Sequence, residues 1–159
     1  MNKKIRIAVL VSGNGTNLQA LINAQKNKII KSGKIELVIS NNSNAFALKR
    51  AEKSKIPFEI ISKKECKKIE EFERKLKEIL KSYKIELIVL AGFMSVLSKN
   101  FVKDYPKKII NIHPSLIPSF CGKNFYGIKV HEEAIKRGVK ITGATTHFVN
   151  EIIDGGEII

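Results

Sequence analysis

The stretch Asn111-Ile112-His113-Pro114-Ser115 holds residue types that polar catalysis uses, at a spacing that brings them together. Side chains two apart on an extended strand share a face, so Asn111 and His113 are expected to point the same way. Pro114 biases the residue before it toward extended backbone, which predicts a fixed aim for the His113 ring. An amide and an imidazole side by side can donate hydrogen bonds to one carbonyl oxygen. That is the equipment for stabilising a tetrahedral oxyanion and moving a proton. The same pair also fits a strand-end histidine satisfied by backbone. Asp154, followed by Gly155 and Gly156, is either an ordinary turn acid or a carboxylate that orients and charges an imidazole. His131 sits among Glu132, Glu133 and Lys136, and His147 lies in Thr145-Thr146-His147-Phe148-Val149. Both read as structural. Cys121 falls in a loop near the constellation, and no nucleophile elbow supports it or any serine as a nucleophile. No Cys/His ligand spacing is present, so no catalytic metal is expected.

A second chemical signal is Ser12-Gly13-Asn14-Gly15-Thr16-Asn17, between an apolar run and a helical pattern. Gly13 and Gly15 allow backbone angles that other residues resist. Successive N–H groups at a helix start form an anion nest, and Thr16 can cap the helix or give its hydroxyl to a phosphate. Two features count against a nicotinamide-binding dinucleotide fingerprint: Leu18 stands where the third glycine belongs, and Ser40-Asn41-Asn42 carries no ribose-binding acid. A Walker loop would need Gly-Lys-Ser/Thr, which is absent. A phosphate monoester site and a plain tight turn with a capped helix both remain.

The elements that must hold these residues alternate. Residues 5–11 form a nearly continuous β-branched run, as in a strand buried on both faces. Further strands are predicted at 35–40, 58–61, 85–90 and 108–112, with a final extended stretch at about 139–149. Helices are predicted after the glycine turn, at 45–53, over 66–83 and at 130–137, the last ending at Gly138. The 66–83 segment is the clearest. Cys66, Ile69, Phe72, Leu76, Ile79, Leu80 and Tyr83 recur at three and four residues and make one apolar stripe. This pattern predicts an α/β, Rossmann-like three-layer sandwich with a mostly parallel central sheet. Ligands of such sheets bind beyond the carboxyl ends of the strands, where 12–17, 92–97 and 111–118 all fall.

At 159 residues the chain has the length of one domain. Its 43% apolar content excludes a disordered chain. No apolar run is long enough to span a membrane, and no signal peptide is visible. Two cysteines exclude a disulfide scaffold and fit a reducing cytoplasm. Lys and Arg number 29 against 15 acids, a net charge of +14. The lysines are spread along the chain without interleaved aromatics, which reads as a solvated surface rather than a nucleic-acid platform.

Taken in order, Ser12-Gly13-Asn14-Gly15-Thr16-Asn17-Leu18, Leu90-Ala91-Gly92-Phe93-Met94, Asn111-Ile112-His113-Pro114-Ser115-Leu116 and Asp154-Gly155-Gly156 resemble the phosphoribosylglycinamide formyltransferases. These are folate-dependent enzymes of de novo purine synthesis. The resemblance covers the chain from the first strand to its last residue. It implies one formyltransferase domain over 1–159, with a phosphate-binding half at about 1–100 and a catalytic and folate half at about 101–159. It implies formyl transfer from 10-formyltetrahydrofolate to the amine of glycinamide ribonucleotide, without a metal or a covalent intermediate. It assigns the substrate phosphate to Gly15, Thr16 and Asn17. It assigns the folate to Met94, Ser95, Val96, Leu97 and Asn111, and to the loop of Asn150, Glu151, Ile152, Ile153 and Asp154. Asn111, His113 and Asp154 match the catalytic trio.

Two departures stand out. The family usually carries a basic residue for the folate glutamate tail near Ile69, and Lys67 or Lys68 is the nearest substitute here. The family also continues for roughly another strand and helix, so a shortened member is expected. The partners implied are small molecules, with neither nucleic acid nor membrane, and a monomer or homodimer in the cytoplasm. The alternatives are formyltetrahydrofolate hydrolase, another folate-dependent formyltransferase, or a basic nucleic-acid-binding domain. The hydrolase usually has a second His in place of Pro114. Methionyl-tRNA formyltransferase lacks the Ser-Gly-Asn-Gly turn.

Overall fold

A computed structural model describes residues 3–62, 66 and 68–159. Lys67, one of the two lysines expected at the folate tail, lies outside the described residues, as does most of the lysine-rich run 63–68. The chain divides into two compact units, Met1–Leu97 and Ser98–Ile159.

The first unit runs β1 (Ile5–Val11), α1 (Thr16–Lys26), β2 (Gly33–Ser40), α2 (Phe46–Lys53), β3 (Phe58–Ile60), α3 (Ile69–Ser82) and β4 (Leu87–Leu90). Its strands lie in the order β3-β2-β1-β4, and every pairing among them is parallel. The central position of β1 explains its composition: Ala8, Val9, Leu10 and Val11 are fully buried, as a strand covered on both faces requires. Val9 and Val11 join Leu18 and Ile22 of α1 and Ala47, Leu48 and Ala51 of α2 in one apolar cluster. Each such aliphatic side chain contributes roughly 1.5–3 kcal/mol on leaving water. Helix α3 buries Phe72, Leu76 and Leu80, the stripe seen in the sequence. It starts at Ile69 rather than at Cys66, although Cys66 is buried.

The second unit holds α4 (Lys99–Lys103), β5 (Ile109–His113), α5 (Ile128–Arg137) and β6 (Thr145–Phe148). Helix α4 is too short for its periodicity to be read from sequence. Its start is capped by the Ser98 hydroxyl, which accepts from the Phe101 N–H at 3.1 Å. Helix α5 ends where Gly138 takes a left-handed conformation at φ 73°. Strands β5 and β6 pair antiparallel, with Asn111 opposite His147 and His113 opposite Thr145. The extended stretch expected over 139–149 forms a strand only at β6. The α/β class with mostly parallel pairing holds, and β5–β6 is the antiparallel exception.

Candidate active site

In the first unit the loops after β1, β2 and β4 are tied to one another. The Ser12 hydroxyl accepts from the Met94 N–H at 2.8 Å. The Asn42 amide donates to the Ser12 carbonyl at 3.2 Å, and the Asn41 amide to the Ser95 hydroxyl at 2.8 Å. β1 lies between β2 and β4, so these loops meet where crossovers leave in opposite directions, the usual ligand position of an open parallel sheet.

The glycine turn is built to a tight tolerance. Gly15 sits at φ 74°, and a Cβ there would stand 2.5 Å from the Ala47 Cβ. Only glycine fits on both counts. Gly15 is the N-cap of α1, and no side chain caps that end, so Thr16 does not play the capping role considered for it. The first-turn N–H groups are thereby left for another acceptor. Arg50 of α2 braces the turn from outside. Its guanidinium donates to the Asn14 carbonyl at 2.9 Å, the Asn14 side-chain oxygen at 3.4 Å and Gln19 at 3.2 Å. Nothing in the local sequence pattern marked Arg50.

Along 92–97, Met94 and Val96 are exposed, whereas Ser95 and Leu97 are buried. The exposed pair presents apolar side chains at the surface.

The second unit gathers the polar constellation. The His113 Nδ1 is 3.4 Å from Asp154 Oδ2, with both side chains nearly buried. Its Nε2 is 2.9 Å from the Phe120 carbonyl, which can only accept, so Nε2 carries a hydrogen. One nitrogen of His113 thus meets backbone and the other the acid. Asp154 Oδ2 also accepts from the Gly122 N–H at 2.9 Å, next to Cys121. The Cys121 thiol is held above its ordinary pKa by burial and then by the Asp154 charge.

His147 is a correction to the sequence reading. It is not a bystander. Its Nε2 lies 3.1 Å from the Asn111 amide nitrogen and 3.7 Å from Asp154 Oδ1. The alternation of buried Thr145 and His147 with Thr146 between them was the available signal. His131, by contrast, lies exposed on α5 as expected. Burial pushes the Asp154 carboxyl up, but the hydrogen bond with His147, the Gly122 N–H and the His113 and His147 charges outweigh it and hold the group below its ordinary value. The Asp154 carboxylate, and after it the Phe148 carbonyl, raise the His147 pKa against the opposing effect of burial.

The loop that delivers Asp154 is self-tied. Asn150 accepts from the Ile152 N–H at 2.9 Å and donates to the Gly155 carbonyl at 3.1 Å. Glu151 pairs with Lys103 at 3.4 Å, and Ile152 and Ile153 are exposed. A Cβ at Gly156 would run into the Phe148 carbonyl oxygen, which explains a glycine there. Among the described residues no group of three or more His, Cys, Asp or Glu side chains is placed to hold a metal ion. No helix among them is long and apolar enough to cross a membrane.

The Formyl transferase family profile matches residues 5–159. The phosphoribosylglycinamide formyltransferase of Haemophilus influenzae is 42% identical over 154 residues, which are 97% of this chain and 70% of that protein. The trifunctional purine biosynthetic protein adenosine-3 of Gallus gallus is 46% identical over 98% of this chain, but the chain spans only 15% of that protein's length. The solved phosphoribosylglycinamide formyltransferase of Coxiella burnetii superposes with a TM-score of 0.89 at 41% identity, covering 99% of this chain and 71% of that one.

Proposed function

The chain belongs to the formyl transferase family, and on that premise we propose that it transfers a formyl group from 10-formyltetrahydrofolate to the amine of glycinamide ribonucleotide. The observation that carries this reading is the convergence of half-buried Asn111, buried His113 and the Asp154 carboxylate on one strand and one loop of the second unit. Each unit has residues that suit at least one of the substrates. The uncapped N-terminus of α1, with Gly15, Thr16 and Asn17 at its start, suits a phosphate dianion. In the first unit the exposed Met94 and Val96 suit an apolar face of a pterin, and in the second the exposed Ile152 and Ile153 do the same.

The bound folate supplies the formyl carbon on nitrogen and accepts a proton as it leaves. The amine of the ribonucleotide attacks that carbon, and charge builds on the formyl oxygen. Asn111 and His113 donate hydrogen bonds to this oxygen, which is where a low-dielectric site contributes most. His113 does so as an imidazolium, with Asp154 as counter-charge on Nδ1. Donation from Nε2 exchanges the Phe120 carbonyl for the substrate oxygen. The proton lost by the amine goes to the departing folate nitrogen, with Asp154 relaying it and so remaining the counter-charge. The setting is the reducing cytoplasm, where Cys66 and Cys121 stay as thiols.

The test is formyl transfer by the 159-residue chain with both substrates, following release of the deformylated folate. Release that depends on the ribonucleotide supports the transferase. Release without it identifies a hydrolase, and no release with either overturns the reading for this chain.

A further inference from the structure

His147 is fully buried on β6, opposite Asn111 of β5. Its Nδ1 stands 2.9 Å from the Phe148 carbonyl oxygen, which only accepts, so Nδ1 carries a hydrogen in every state of the ring. All variation is therefore at Nε2, between the Asn111 amide at 3.1 Å and Asp154 Oδ1 at 3.7 Å.

Two hydrogen placements satisfy these contacts. With a neutral ring, the Nε2 lone pair accepts from the Asn111 NH2 group. The second amide hydrogen then goes to Asp154 Oδ1, 3.5 Å away. Both donors are spent inside the cluster, and the amide turns its oxygen outward. An outward oxygen repels a developing oxyanion. With a charged ring, Nε2–H needs an acceptor. A half-turn of the amide provides the oxygen to Nε2–H, gives up the 3.5 Å bond to Asp154 and frees the NH2 group, with the imidazolium offsetting the approach of the two oxygens. The two ends are nearly the same size, so the half-turn costs little packing.

We propose that His147 is a positioning residue: as an imidazolium it holds the Asn111 amide oxygen inward and turns the NH2 group toward the reacting formyl oxygen. This rests on the formyl-transfer reading above. A buried imidazolium needs a counter-charge, and Asp154 is placed to serve both histidines, Oδ1 toward His147 and Oδ2 toward His113. The other titratable group against this carboxylate, among the described residues, is Cys121, whose thiol is held neutral by burial and by Asp154. The Asp154 carboxylate raises the affinity of His147 for its proton, in keeping with the charged state.

The experiment pairs kinetics with imidazole nitrogen NMR on the full chain. His147→Leu removes the donor and is expected to lower kcat about 100-fold, the usual scale for one misaimed oxyanion donor, while KM for the ribonucleotide changes less than about 2-fold. His147→Gln can donate from its amide in place of Nε2 and is expected to recover about 10-fold of that loss. A Leu variant with near-normal kcat, or a Gln variant no better than Leu, overturns the proposal. In the NMR spectrum His147 is expected to carry hydrogen on both nitrogens near neutral pH, and an unprotonated Nε2 overturns it. Should the unmodified chain fail to transfer formyl, the function reading falls while the spectrum still decides the hydrogen placement.

Discussion

His113 meets its environment through both ring nitrogens, and each contact has a different consequence. The Asp154 contact fixes the orientation of Nδ1, and the Phe120 carbonyl accepts from Nε2, the donor that the proposed mechanism turns to the formyl oxygen. Replacing His113 with alanine is therefore expected to lower kcat by about 10³-fold or more, since an oxyanion donor and a proton-handling group are lost together. Steady-state turnover measures this, and a variant within about 10-fold of the parent removes His113 from the chemistry. The acid and its second histidine predict a stability profile as well. The Asp154 pKa is depressed from an ordinary 3.8, so its contribution is present above that value and is lost as pH falls through the lower folded value. The His147 pKa is raised from an ordinary 6.5, so its contribution is full below that value and is lost as pH rises through the higher folded value. The cluster thus stabilises most between these two ordinary values. Thermal midpoints against pH are expected to fall on both sides of that window, and Asp154→Asn is expected to flatten both limbs. An unchanged profile in that variant would show the acid to be uncoupled from folding.

At the scale of elements, the turn between β1 and α1 is the part with the least tolerance. Gly15→Ala forces a left-handed angle on a residue with a Cβ and drives that Cβ into Ala47. The backbone cost alone is about 1–2 kcal/mol. Gly13 has open space where its Cβ would be. Gly13→Ala is therefore expected to leave the thermal midpoint nearly unchanged, while Gly15→Ala lowers it and raises KM for the ribonucleotide. Equal effects in both variants would remove the special role of Gly15. The tolerance of this turn was half visible in the sequence. The glycines announced a tight turn, but the approach of α2 and the brace from Arg50 are tertiary facts. The same division runs through the chain. β1 and α3 were legible because burial writes a local pattern, a continuous run in one and a three-and-four stripe in the other. α4 was not, since five residues carry no full period. Val139 and Ile141 extended the predicted last strand falsely, because they are exposed rather than paired. Asn111 and His113 were legible from their two-residue spacing. His147 was missed because its partner is fixed by antiparallel register across β5 and β6, a relation no local window contains.

At the scale of the whole molecule, the net charge of +14 dominates. Ion pairs such as Lys3–Glu86, Arg74–Glu78 and Lys107–Glu157 are largely exposed, so each contributes little. Self-repulsion among unmatched cations opposes them, and both effects are screened by salt over about 10 Å at 0.1 M. Repulsion involves the larger number of charges, so the thermal midpoint is expected to rise as sodium chloride is raised to about 0.3 M, and a fall would mean that the ion pairs dominate. A bound anion would add to this and can be separated from it. Screening depends on ionic strength alone, whereas a ligand of the folded state stabilises by RT ln(1 + [L]/Kd). At matched ionic strength, phosphate is therefore expected to raise the midpoint above chloride if the open N-terminus of α1 holds a phosphate. Gly15→Ala is expected to abolish that excess without altering the chloride response. Coincident phosphate and chloride curves in the unmodified chain would leave the +14 charge as a general surface property and take the phosphate away from the β1–α1 turn.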